Sequence, residues 1–119
     1  MISTVIGNGE KVLPKSGMAA AGQPILGPRA LFVDGATLWI GLREGNSIWS
    51  MNLDSGILRR ECGTGQAGYA GDGQDPLEAR FNGPKGIAVD RKGRVLIVDT
   101  ENQVIRAFDP RSKTLSTLA

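Results

Sequence analysis

Histidine is absent from the 119 residues, and cysteine occurs once, at Cys62. The first absence removes the usual general base and the commonest zinc ligand together. The second excludes an internal disulfide and leaves the redox compartment unread. Aromatic residues make up 5% of the chain, too few to build stacking platforms for single-stranded nucleic acid. Uninterrupted apolar runs such as Val95-Leu96-Ile97-Val98 reach four residues, whereas a membrane-spanning helix needs about 20. The opening residues Met1-Ile2-Ser3-Thr4 show no charged head followed by an apolar stretch, so no secretory signal is visible and the compartment stays unknown. Charge of one sign is also lacking. Fourteen Lys and Arg against twelve Asp and Glu leave a formal charge of +2, which argues for no polyanionic partner. What is present is 40% hydrophobic residue, enough to exclude disorder and to build one ordinary core.

The chain repeats itself. A shift of 56 pairs Gly7 with Gly63, Gly9 with Gly65, Gly17 with Gly73, Gly27-Pro28 with Gly83-Pro84 and Val33-Asp34 with Val89-Asp90. After Asp90 the second copy carries one more turn residue, and a shift of 57 pairs Ile40 with Ile97, Glu44 with Glu101, Ile48 with Ile105 and Leu58 with Leu115. At the summed shift of 113, Ser3-Thr4 matches Ser116-Thr117, so residues 1–6 and 114–119 are one element of the repeat met twice.

Each copy reads as short strands. In the second, residues 86–90, 94–99, 104–109 and 114–119 are β-branched and apolar, and are separated by Asp-, Asn-, Gly- and Pro-containing turns. Four strands repeated at this spacing predict an all-β fold of β-propeller blades, each of four antiparallel strands. The boundaries follow: 1–6 the last strand of a preceding blade, 7–27 an inter-blade loop, 28–62 blade 1, 63–83 a Gly-rich inter-blade loop and 84–119 blade 2. Asp75-Pro76-Leu77-Glu78 carries an N-cap and a proline at the first helical position, which predicts one turn of helix with Leu77 and Phe81 on one face. Ala19-Ala20-Ala21-Gly22 lacks the cap and predicts a weaker turn.

These residues resemble the NHL repeat. The resemblance rests on Gly83-Pro84-Lys85-Gly86-Ile87-Ala88-Val89-Asp90 and on Val98-Asp99-Thr100-Glu101-Asn102-Gln103-Val104-Ile105-Arg106. The Gly-rich stretch from Gly63 to Gly73 looks like the inter-blade segment of the bacterial type with long loops. Asn102-Gln103-Val104 stands where the family has its Asn-His-Leu run, and in the first copy Leu42 and Gly45 replace Asp99 and Asn102. The resemblance implies a six-bladed ring. Two blades would leave an apolar face open on each side, so the partners expected are further blades, either from a longer parent chain or from a homotrimer.

Sites are sparse. Gly63-x-Gly65-x-x-Gly68 fits a dinucleotide fingerprint by letters, but no helix opens behind it as that fingerprint requires, and it reads as a flexible loop. Asp99 and Asn102 are candidates for a cation or polar ligand, though both residue types also close turns on backbone amides. Asp34 and Asp90 read as turn closers. Asp72 and Asp75 lack the alternating oxygens of a calcium loop. Trp39 is expected between the blades. Trp49 is the candidate for an exposed, ligand-touching aromatic, because its repeat counterpart is Arg106. Val95, Ile97 and Ile105 are expected in the core, and Cys62, which matches Ala119, as a small buried filler.

Three functions remain. The first is a non-catalytic NHL propeller segment, a scaffold or recognition surface for a protein or small ligand; it needs no special residues, no catalytic group and no cofactor. The second is part of a calcium-dependent, gluconolactonase-like hydrolase or lyase propeller, since oxygen ligands survive the lack of histidine. The third and weakest is single-stranded RNA binding, because Glu44, Asp54, Glu61 and Asp109 interleave with the arginines. No membrane partner is expected.

Overall fold

The computed structural model describes all residues, 1–119, and contains two antiparallel sheets. Blade 1 comprises β1 (Met18–Ala19), β2 (Pro28–Asp34), β3 (Thr37–Leu42), β4 (Ser47–Asn52) and β5 (Ile57–Cys62). Blade 2 comprises β6 (Pro84–Val89), β7 (Val95–Asp99), β8 (Val104–Asp109) and β9 (Thr114–Thr117). The strand orders are β1-β5-β4-β3-β2 and β6-β7-β8-β9. From β2 to β5 and from β6 to β9 consecutive strands are neighbours, as short hairpin turns require, while β1 pairs across the sheet with β5. The shared repeat shows in the registers: Ile40 faces Trp49 in blade 1, and Ile97 faces Arg106 in blade 2.

The blades meet through a common core. Trp39, Ile48 and Cys62 from blade 1 close on Val95, Ile97, Phe108 and Leu115 from blade 2, with Phe81 from the connecting loop. Trp39 sits between the blades as expected, its ring 6.3 Å from that of Phe108 at 71°, an edge-to-face contact. Cys62 is fully buried, and desolvation pushes its thiol pKa well above the ordinary value, with the neighbouring Glu61 charge adding to the shift. A second core, Ile40, Leu42, Trp49, Met51 and Leu58, lies on the other side of blade 1, and Ile6, Leu13 and Ile25 fold over it.

The loop before each blade wraps the outer edge of that blade. Gly17 N–H donates to Leu58 C=O at 2.7 Å, and Gly73 N–H donates to Leu115 C=O at 2.9 Å, one repeat later. Two bends in the Gly-rich loop tolerate only glycine. Gly71 has φ +107° and a Cβ there would lie 2.6 Å from Ala79 Cα; Gly63 has φ +91° and a Cβ would lie 2.6 Å from the Asn46 carbonyl oxygen.

Three expectations need correction. Residues 1–6 form no strand, because the chain sets no strand beside them and an extended segment without a ladder partner has nothing to hold it. The turn at Pro76–Glu78 is present as a 3₁₀ turn with Asp75 Oδ1 accepting from Leu77 N–H at 3.0 Å, but Leu77 faces solvent while Phe81 is buried. A single tight turn followed by extended chain does not keep the i, i+4 alignment of an α-helix. The uncapped counterpart in the first copy is a plain turn with no helix, the weaker turn expected, and Met18–Ala19 just before it pair with β5. Finally, Ile105 is 40% exposed although its counterpart Ile48 is buried. Ile48 faces blade 2, whereas Ile105 lies on the far side of blade 2, where no third sheet stands.

Candidate functional site

The polar candidates of the second copy converge on one buried guanidinium. Arg106 on β8 is wholly buried. It donates to the carbonyls of Arg80 at 2.6 Å and Ala70 at 2.7 Å, and to Asp72 Oδ1 at 2.9 Å from Nη2 and 3.2 Å from Nε. Its Nη1 lies 3.4 Å from Asp99 Oδ2. The rings of Phe81 and Tyr69 flank it, with centroids 4.6 and 5.1 Å away. Burying such a charge is costly unless every donor is met, and here five donor contacts and two ring faces meet it.

Asp99 and Asn102 belong to this clasp. Asp99 is fully buried at the end of β7. Its Oδ1 accepts from Asn82 N–H at 2.8 Å and its Oδ2 from Asn102 Nδ2 at 2.8 Å. Asn102 Nδ2 also donates to the Gly68 carbonyl at 2.8 Å. Asp72 is held on its outer side by Thr117 Oγ1, which also meets the Tyr69 hydroxyl at 2.7 Å. The clasp therefore ties the Gly-rich loop to three strands of blade 2, and the loop read as flexible is tethered along its length. Asp72 and Asp75 do not converge: Asp72 faces Arg106 while Asp75 caps the 3₁₀ turn.

Trp49, the repeat counterpart of Arg106, is buried rather than exposed. Its indole N–H donates to Ser47 Oγ at 2.9 Å. An arginine counterpart suggested a surface position, but that arginine is itself an interior group. Blade 1 fills the same node with hydrocarbon: Trp49 for Arg106, Leu42 for Asp99, Leu13 for Tyr69 and Ile25 for Phe81 all belong to or pack on the second core. One fold position is thus served by an ionic clasp in one copy and an apolar cluster in the other. The signal available in the sequence was the joint change of the Asp99, Asn102 and Arg106 positions.

Solvent-facing chemistry gathers at the rim formed by the β3–β4 and β7–β8 turns and the entry to β6. Arg43, Glu44, Asn46, Asn82, Gly83 and Glu101 line a cleft of about 240 Å³ there. Arg43 pairs with Glu44 at 2.9 Å and Lys85 with Glu101 at 3.7 Å. Asn46 stitches the blades at the cleft floor, accepting from Gly83 N–H at 2.9 Å. The opposite rim carries Asp90, which accepts from Lys92 N–H and Arg94 N–H, each at 2.9 Å, and from Arg94 Nε at 2.8 Å. The backbone hydrogen bond from Arg94 does most to lower its pKa. Asp34, at the matching turn, is exposed and makes no such bonds. No three Cys, Asp or Glu side chains come together as a metal site would need.

The model of the teneurin NHL domain matches residues 45–118. The chain belongs to that family. The match spans β4, β5, the Gly-rich loop and all of blade 2, so the arginine clasp of this NHL domain lies within it. No curated protein matches the chain.

Proposed function

We propose that this NHL domain is a non-catalytic segment of a six-bladed propeller, acting as a recognition scaffold for a protein through its Asn46 rim. The carrying observation is how its polar groups are employed. The interior polar groups Asp99, Asn102 and Arg106 are engaged with one another and with backbone, whereas the mixed-charge cleft at the rim leaves Arg43, Glu44 and Glu101 toward solvent. Recognition by exposed turns on a rigid sheet scaffold needs no cofactor. Asp99, Asn102 and Trp49 serve recognition indirectly, by fixing the turns that carry the cleft. The long Gly-rich loop, wrapped along β9, supports a likeness to the bacterial repeat type. No observation favours the calcium-dependent hydrolase or RNA reading.

Peptides selected from a displayed library against the chain test this. Arg43→Glu combined with Glu101→Lys is expected to weaken the selected peptides about tenfold or more, while Arg111→Glu on the opposite rim leaves them unaffected. Equal loss from both rims, or turnover of lactones or esters by the purified chain, would overturn the reading.

A further inference from the structure

We infer that a second copy of this chain docks head to tail, the outward face of one blade 2 against the outward face of the other copy's blade 1, and that Met1–Ile6 gates the contact. The inference rests on the propeller reading above and names its partner.

Both faces are repeat copies of faces already joined inside the chain. Blade 2 shows solvent Val98, 43% exposed, and Ile105; their counterparts Gly41 and Ile48 are buried toward blade 2. Blade 1 shows Leu31 and Val33, 64% and 60% exposed; their counterparts Ile87 and Val89 pack on the inter-blade core. Continuing the existing interface by one step therefore brings apolar surface onto apolar surface. Ile25, Leu31, Leu38 and Ile40 of the receiving face also line an apolar cavity of about 320 Å³, whose remaining wall, Val5 and Ile6, belongs to the N-terminal segment.

A polar register mark repeats as well. Asn46, with φ +46°, accepts from Gly83 N–H. Gln103, with φ +60°, occupies the equivalent turn of blade 2. Gly27 is the equivalent of Gly83, and its N–H finds no acceptor within the chain. Gln103 Oε1 of one copy accepting from Gly27 N–H of the next reproduces the existing link. Both residues lie at the same rim, so the apolar faces and this hydrogen bond are satisfied by one docking pose.

The gate follows from the duplicated element. Residues 1–6 and 114–119 are one repeat position, and Ile6 packs on the second core as Cys62 packs in the inter-blade core. When blade 2 of another copy arrives, its Thr114–Ala119 claims the place Met1–Ile6 holds. Residues 1–5 make no backbone hydrogen bond, so little is lost when they leave.

Sedimentation velocity and native mass spectrometry across a concentration series test the docking. The expected limit is about 38 kDa, three times the 12.6 kDa chain, with six blades closed. Ile105→Asp and Leu31→Asp, both at solvent-facing positions, are each expected to remain monomeric with unchanged far-ultraviolet circular dichroism. Mixed in equal amounts they should form a species of about 25 kDa, twice the chain mass, because each retains the face the other lacks. If Ile105→Asp fails to fold, Val98→Asp replaces it. Deleting residues 1–5 should lower the midpoint concentration of association about tenfold. A parent chain that stays monomeric with its sheet spectrum intact overturns the docking while leaving the propeller reading in place; loss of the sheet spectrum in the parent overturns both. Variants that associate like the parent, or that fail to pair when mixed, overturn the head-to-tail arrangement. Association unchanged or weakened by the deletion overturns the gate.

Discussion

At the scale of single residues, Arg106 decides the most. Its charge is tolerable in the interior because Asp72, Asp99 and two carbonyls meet it. Arg106→Ala is expected to cost about 3–5 kcal/mol, since it leaves the buried Asp99 without its counter-charge. Blade 1 shows that the node does not demand charge. Replacing Asp72, Asp99 and Arg106 together by the blade 1 residues Ser, Leu and Trp should recover most of that loss, as measured by urea denaturation of the single and triple variants. Recovery below about 1 kcal/mol would mean that the two nodes are not interchangeable. Cys62 makes a second residue-scale expectation. A buried thiol with a raised pKa is a poor nucleophile, so a thiol reagent at neutral pH should label it only as the chain unfolds. Rapid labelling of the native chain would place Cys62 outside the core.

At the scale of elements, strands were legible and their environments only partly so. Alternating apolar residues and Gly or Asp turns marked all four strands of blade 2, and β6 to β9 lie close to the expected spans. Ile97→Asp on β7 should cost several kcal/mol, because it places an unpaired charge in the inter-blade core; a denaturation midpoint like the parent's would show that the register of β7 is other than observed. The β6–β7 turn has a pH signature. The folded pKa of Asp90 is lowered, so its contribution to stability is present above the ordinary aspartate value of about 4 and is lost as pH falls through the folded value. Asp90→Asn should therefore flatten the acid side of the stability profile, as read by urea midpoints between neutral and strongly acid pH. Ile105 was misread at this scale because strand pattern reports alternation, and alternation does not say which face meets another sheet.

At the scale of the whole molecule, one core joins the blades. Trp39 and Phe108 belong to different sheets and touch edge to face. Tryptophan fluorescence, which reports blade 1, and far-ultraviolet circular dichroism, which reports both sheets, should give coincident unfolding curves. Two separated transitions would show that each blade is stable alone. The same scale explains Trp49: it belongs to a cluster on which Leu13 and Ile25 pack from a loop well before it in sequence.

Repeat length, strand content, turn positions and the all-β class were determined by the sequence alone, because side-chain alternation and turn chemistry are local properties. The clasp around Arg106, the burial of Trp49 and the exposure of Ile105 were decided by tertiary structure. Each depends on what an adjacent layer supplies: loop carbonyls for Arg106, N-terminal aliphatics for Trp49 and no third sheet for Ile105. Identical strand patterns acquire different surroundings once neighbouring layers are in place, and burial is set by those surroundings.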